Sequence, residues 1–259
     1  MTNSLQILDE METSTEPRRC EEHGEYEAEL FRVTKKGPWL GGACPKCEEV
    51  RKNKEEEDDR RRQIAERERR IAALMNRSGI PKRFEGRTLD NYSVDTGGQK
   101  RALSIAKKMA DSDPSTGTSL VFCGKPGTGK THLACGVAHK WMQSGRPALF
   151  ATVLAAIRHI KSTYSRGSET TEEQAIAVFT DVDLLVLDEI GVQLGTEHEK
   201  MLLFEIINER YQEMRPTILI SNLTREELTD YLGDRVMDRF RESGAVVAFD
   251  WGSYRGAKK

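Results

Sequence analysis

At 259 residues the chain has room for one core domain with an appendage, or for two small domains. Lys and Arg number 40 against 42 Asp and Glu, so no global basic field points to nucleic acid, although a local basic groove is not excluded. The first nineteen residues lack the apolar core of a secretion signal, no apolar run approaches membrane-spanning length, and an odd count of five cysteines does not make a secreted disulfide framework; a cytoplasmic protein with no membrane partner and with some thiols on metal is expected.

Residues 1–19 are polar and acidic and read as a flexible tail. Cys20-x2-His23 follows, and after twenty residues Cys44-x2-Cys47. Two ligand pairs, each with a two-residue gap, can close a tetrahedral zinc site. Between them lie Tyr26, Leu30, Phe31, Val33 and Trp39, with Gly37-Pro38 and Gly41-Gly42 as turn material, which suits a short hairpin between two knuckles. A unit as small as 20–50 cannot bury enough surface to fold without its metal. Four protein ligands leave no open position, so a structural zinc with no catalytic role is expected.

Residues 51–78 form a charge run with acid-before-base pairs at Glu56/Arg60, Glu57/Arg61, Asp58/Arg62 and Glu66/Arg70, the spacing of an exposed helix. Apolar residues enter only at its end, with Ile64, Ile71, Leu74 and Met75, where the helix gains a face that can dock. Ser78-Gly79-Ile80-Pro81 closes it and opens the main domain, 79–259.

Within that domain Arg101 to Ala110 has helical period, and Ser119 to Cys123 is an apolar strand. Gly124-Lys125-Pro126-Gly127-Thr128-Gly129-Lys130-Thr131 then opens the next helix. Glycines let such a loop turn backbone amides onto a phosphate, and the helix adds its positive end. Lys130 is placed to reach the β- and γ-phosphates, and Thr131 to put its hydroxyl on Mg²⁺. Leu133, Ala134, Val137, Ala138 and Trp141 share one face of that helix; Ala148 to Thr152 is a second strand, and helical spacing continues through Leu154, Ile157, Ile160 or Lys161, and Tyr164. Thr171-x-x-Gln174 starts another helix.

Leu184-Leu185-Val186-Leu187 is a strand covered on both faces and ends in Asp188-Glu189. Adjacent carboxylates there are expensive without work to do: Asp188 suits Mg²⁺ through its water shell, and Glu189 suits activation of the water attacking the γ-phosphate. Thr196-x-x-Glu199 caps a helix carrying Leu202, Leu203, Ile206, Ile207 and Tyr211. Thr217 to Ile220 is a strand ending in Ser221-Asn222, whose amide is placed to touch the γ-phosphate or the water. Thr224-x-x-Glu227 starts the next helix, Arg235 and Arg239 lie four apart on one helical face, and Ala245 to Phe249 is the last strand. This alternation implies a parallel sheet with helices on both faces and a nucleotide beyond the carboxyl ends of its strands.

GKPGTGKT, LLVLDEIGVQ, the strand ending SNL, and above all GDRVMDRF followed by FDWGSYRG resemble the DnaC-type bacterial replicative helicase loaders, AAA+ ATPases of the initiator clade close to the transposition ATPase IstB. The likeness runs from about Gly79 to Gly256. It implies that Lys130, Thr131, Asp188 and Glu189 act as above, and that Asn222 is the polar sensor. It also implies that Arg239 is the best match to an arginine finger facing the next protomer, with Arg235 beside it, and that Arg255 is the second sensor. Single-stranded DNA would be carried by an insertion after the second strand, where Tyr164 holds the aromatic position with Lys161 and Arg166 adjacent; an aromatic stacks any base, and a pore needs only local basicity.

The implied activity is that of an ATPase, poor as a monomer and stimulated by DNA. It would bind a hexameric replicative helicase of the DnaB type, place it on single-stranded DNA, self-associate with ATP and release on hydrolysis to ADP. No helicase-binding motif of the loaders matches the amino-terminal region, so by position the Cys/His unit and charged helix would grip the partner. A transposition helper that recruits a transposase to duplex DNA shares the chemistry, and a non-enzymatic zinc adaptor with a structural nucleotide is a third reading, disfavoured by the intact Asp188–Glu189 pair.

Overall fold

The computed structural model describes residues 12–34, 36–165, 167–191 and 196–254. The chain divides into two units, 1–67 and 68–259.

In the first unit β1 (Glu12–Cys20) and β2 (Gly24–Arg32) pair antiparallel over their whole length, and the short β3 (Leu40–Gly41) joins the other side of β2. Along β2 the residues alternate: Ala28 and Leu30 are buried, while Glu25, Glu27 and Glu29 are exposed. Tyr26 reaches across to donate to the Gly42 carbonyl at 2.8 Å. The flexible tail expected over 1–19 is thus a strand from Glu12 onward; Met1 to Met11 lie outside the described residues. Every residue from Thr13 to Arg19 is exposed, so β1 is held by its backbone ladder and carries no hydrophobic period that could announce it.

A single helix, α1 (Pro45–Arg77), follows. It begins six residues before the charge run expected to form it, with Pro45 at its first position, where a missing N–H removes no bond. Its 33 residues correspond to about 50 Å of helix, exposed from Glu48 to Arg70. Of the expected acid–base pairs Glu57–Arg61 forms at 2.6 Å, whereas Arg62 turns to Asp59 at 3.7 Å.

The second unit is built on α2 (Gly97–Ala110), β4 (Ser119–Gly124), α3 (Lys130–Gln143), β5 (Ala148–Thr152), α4 (Val153–Lys161), α5 (Glu172–Thr180), β6 (Leu184–Ile190), α6 (Glu197–Gln212), β7 (Thr217–Ser221), α7 (Arg225–Leu232), α8 (Asp234–Ser243) and β8 (Gly244–Phe249). Five parallel strands lie in the order β5-β6-β7-β4-β8. Alternate strand residues feed two cores. Leu120, Phe122, Leu184 and Val186 pack with α2 and α3, including Met109, Leu133, Val137 and Trp141. Val121, Cys123, Leu185 and Leu187 pack against α4 to α8, including Ile157, Phe179, Ile206, Leu228 and Phe240. This is the parallel sheet with helices on both faces that the sequence predicts.

Capping boxes start α5, α6 and α7 at Thr171/Gln174, Thr196/Glu199 and Thr224/Glu227, and a fourth, Thr96/Gln99, starts α2. Two further features brace the sheet. At its β5 edge the Phe150 amide donates to the Ser78 carbonyl at 2.6 Å, so the chain leaving α1 lies against the border strand. On the face covered by α6, Arg210 is fully buried and donates to the carbonyls of Phe179, Thr180, Val182 and Pro216 and to the Thr217 hydroxyl, all within 3.0 Å. Burial pulls its pKa down to about 9, so it still carries its charge at neutral pH. Among the described residues no helix is long and apolar enough to cross a membrane.

Candidate functional site

The loop between β4 and α3 is rooted on two neighbouring strand ends. The Gly124 amide donates to Leu223 O at 2.8 Å, and the Lys125 amide to Phe249 O at 3.0 Å. Gly124 has φ +112°, and a Cβ there would stand 2.6 Å from the Phe249 carbonyl oxygen, so only glycine fits. Further carbonyls of the loop are engaged in turn. Trp251 Nε1 donates to Thr128 O at 3.0 Å, the Tyr254 amide to Gly127 O at 2.9 Å, and Lys130 Nζ to Gly124 O and Lys125 O at 2.7 Å each. These bonds brace the loop, and Lys130 rests on two carbonyls, weaker acceptors than a phosphate would be.

Beside it, Thr131 donates its hydroxyl to Asp188 Oδ2 at 3.0 Å, and Asp188 Oδ1 accepts from the Glu189 amide at 2.7 Å. Burial raises the Asp188 pKa above the ordinary carboxylate value, with those two hydrogen bonds pulling the other way. Glu189 has φ +63°, and the β6–β7 register slips between Leu187 and Ile190. Such a bulge re-aims a side chain at the end of a strand, and a non-glycine residue held in the left-handed region is strained. Glu189 and Asn222 line one cleft of about 380 Å³ together with Gly127, Lys130, Thr131 and Asp188. The sequence-predicted phosphate and metal residues thus converge, and the carboxylate–hydroxyl pair suits Mg²⁺.

The far wall of the cleft was not foreseen. It is made by Phe84, Arg87, Asn91 and Tyr92, from the irregular segment before α2, and by His132. His132 Nε2 lies 2.9 Å from both Thr88 O and Asn91 Oδ1, and Tyr92 packs edge-on at 5.2 Å. Burial lowers the His132 pKa, so the ring stays neutral at pH 7 and can border an uncharged base. No periodicity or motif marks this segment, which α2 and β4 separate from the phosphate loop in sequence.

Arg239 is elsewhere. With Ser119, Tyr211, Thr217 and Ser243 it lines a small cleft at the amino-terminal ends of β4 and β7, the edge of the sheet opposite the phosphate loop. The six residues of β4 separate the two edges by roughly 16 Å. Arg235, one turn earlier on α8, is exposed.

Tyr164 follows α4 in a short turn and is 48% exposed. Its hydroxyl donates to Glu172 and lies 3.0 Å from His198 Nε2; the bond to Glu172 pushes its pKa up to about 12. Lys161 pairs with Glu199 at 3.1 Å. Arg166 and Arg255 lie outside the described residues.

In the first unit the ligand atoms of Cys20, His23, Cys44 and Cys47 all lie within 4.8 Å of one another. Cys20 Sγ is 3.6 Å from Cys47 Sγ, and His23 Nδ1 is 3.7, 3.8 and 3.2 Å from the sulfurs of Cys20, Cys44 and Cys47. Metal–sulfur bonds of ~2.3 Å in a tetrahedron give edges of about 3.8 Å, so the four atoms fit one closed tetrahedral metal. Backbone donors from Glu22 and His23 lower the Cys20 pKa to about 6, and the hydrogen bond to Cys20 pushes Cys47 up to about 12.

Known proteins share much of this architecture. The family of IstB-like ATP binding proteins matches residues 55–259. The replicative helicase loader DnaC of Escherichia coli (strain K12) is 40% identical over 194 residues, which are 73% of this chain and 79% of that protein. Among solved structures, the crystal structure of the DnaC helicase loader aligns with a TM-score of 0.59 at 26% identity, over 66% of this chain and 100% of that one. AMPPCP-bound DnaA from Aquifex aeolicus aligns at 0.56 with 24% identity, over 68% of this chain and 53% of that one, a likeness of fold.

Proposed function

Since the chain belongs to the family of IstB-like ATP binding proteins, we propose that it is an ATP-dependent loader that binds a hexameric replicative helicase, delivers it onto single-stranded DNA and leaves on hydrolysis. The observation that carries this reading is the opposition of the two sites: Lys130, Thr131, Asp188 and Glu189 gather at the carboxyl ends of the strands, and Arg239 stands at the other edge. An arginine a strand's length from its own phosphate loop serves a neighbour's, so ATP joins protomers.

On binding, Lys130 exchanges its two carbonyls for the β- and γ-phosphates. Thr131 and Asp188 would hold Mg²⁺, which neutralises charge on the phosphates when bound. Glu189 takes the proton of the attacking water, and Asn222 orients that water or the γ-phosphate. The neighbour's Arg239 stabilises the charge of the transferring phosphoryl group, worth about 10³–10⁵ in rate, so the isolated monomer is a poor ATPase. Arg235 supports Arg239, and Arg255 acts as second sensor by family pattern.

Single-stranded DNA stacks on exposed Tyr164, and Lys161 and Arg166 supply the positive charge for its phosphates. The Cys/His cluster holds zinc as a structural ion. It lies ahead of the family match, at 20–47, and with α1 forms the helicase grip of a cytoplasmic replication protein.

Arg239→Ala should bind ATP as the parent does yet lose DNA-stimulated turnover; full turnover in this variant would defeat the in-trans assignment. Co-purification with a hexameric helicase, with and without ATP, tests the loading role. Capture of a transposase in place of a helicase would instead favour the transposition helper that the family name allows.

A further inference from the structure

We propose that Asn208 and Tyr211 of α6 are positioning residues that hold Arg239 with its positive charge uncancelled, ready for the phosphate of a second copy of this chain. This rests on the reading of Arg239 as the in-trans arginine.

Arg239 Nη1 donates to Asn208 Oδ1, and the guanidinium lies over the Tyr211 ring, 4.8 Å from its centre. The Ser243 hydroxyl donates to the Arg239 carbonyl at 2.8 Å and steadies the end of α8. Both partners of the guanidinium are neutral, an amide and an aromatic face; they orient the group without neutralising it. Arg239 has no carboxylate partner among the described residues, whereas Arg241 on the same helix is paired with Asp238.

The missing pair is informative because a suitable acid is present. Glu242 follows Arg239 by three residues, the spacing at which helix neighbours meet. The Tyr211 hydroxyl instead donates to Glu242 Oε2 at 2.7 Å. Tyr211 therefore does two things: its ring supports the arginine, and its hydroxyl occupies the carboxylate that would otherwise quench it. A guanidinium already tied to an acid would have to break that pair at each assembly step.

Two substitutions separate this role from packing. Asn208→Asp keeps a hydrogen-bond acceptor but adds a charge that pairs with Arg239. Tyr211→Phe keeps the ring but frees Glu242. In the full chain each should lower kcat at least tenfold, with KM for ATP and fluorescent-nucleotide affinity within twofold of the parent and an unchanged thermal midpoint. Adding Glu242→Gln to Tyr211→Phe should restore kcat to within threefold of the parent. Mixing Asn208→Asp protein with Glu189→Gln protein, which supplies intact Arg239 but no turnover of its own, should recover activity at the Asn208→Asp sites.

Parental kcat in both single variants, while Arg239→Ala is inactive, would overturn this inference and leave the arginine assignment standing. Parental activity in Arg239→Ala would remove the assignment itself. Loss of nucleotide affinity, or no recovery with Glu242→Gln and in mixed assemblies, would show a packing role and equally overturn it.

Discussion

Thr131 Oγ1 and Asp188 Oδ2, 57 residues apart in sequence, meet at 3.0 Å across the parallel sheet. The bond brings a hydroxyl and a carboxylate together, the oxygen pair proposed to hold Mg²⁺. Its maintenance keeps a carboxylate largely out of water, and that has a measurable consequence.

Burial holds the Asp188 pKa above its unfolded value, so the native state binds the proton more tightly than the unfolded chain does. The stability this group contributes is present at low pH and is lost as pH rises through the raised native value. At neutral pH the charge is therefore a burden. Asp188→Asn should raise the thermal midpoint of the nucleotide-free protein by a few degrees at pH 7, with the gain shrinking as pH falls toward the native pKa. The same variant should lose at least about 100-fold in Mg²⁺-dependent phosphate release. Scanning calorimetry beside an ATPase assay reads both.

Metal removal should act on the first unit alone. A chelator strong enough to strip zinc should expose the β1–β2 amides to hydrogen exchange while leaving nucleotide affinity unchanged, because Cys20, His23, Cys44 and Cys47 all precede the phosphate-loop domain. Cysteine ligands must be deprotonated, so zinc affinity should fall as pH drops below 7 and return on neutralisation. Elemental analysis across a pH series checks it, and a preparation that is fully folded and free of zinc would sink the assignment.

Arg210→Leu should be among the most damaging single changes in the chain. It strands the buried carbonyls of Phe179, Thr180 and Val182 and leaves Pro216 O with only the Leu185 amide as donor. Each buried orphan costs about 1–3 kcal/mol, so a loss of at least about 3 kcal/mol is expected in urea unfolding. Arg210→Lys, with one ammonium for five acceptors, should recover only part of it.

Gly79→Ala should destabilise by about 1–3 kcal/mol. The residue has φ +69°, and an added Cβ would stand 2.4 Å from the Phe150 carbonyl oxygen, a backbone atom of the β5 edge that cannot step aside alone. Protection of the Phe150 amide, measured by hydrogen exchange, should fall first.

The phosphate loop, the acidic strand end and three of the four capping boxes were legible because each is a local pattern: the physics that makes them acts over three to eight adjacent residues. Asn222 beside Glu189 followed from the parallel order of strands. Three features were not legible, each for its own reason. β1 has no buried residues to reveal it. The Phe84–Tyr92 wall comes from chain with short turns but no hydrophobic period, and it reaches the cleft through tertiary packing. Arg210 follows Glu209 on a helix rich in charge, so sequence alone assigns it to solvent; only the folded chain surrounds it with the acceptors that hold it. Tyr164 is exposed after α4, and its hydroxyl is engaged by Glu172 and His198, contacts that its spacing alone did not announce.

The Ser78 carbonyl that takes up the Phe150 amide bears on how copies of this chain can meet. A bare border strand invites another chain to extend the sheet, and a join of that kind would form and persist whatever occupied the cleft. With this amide already taken by its own polypeptide, β5 offers a poorer template, and on the in-trans role proposed for Arg239 contact between copies would fall to side chains. A join made through a guanidinium can be undone by removing one phosphate, which a backbone ladder would not sense.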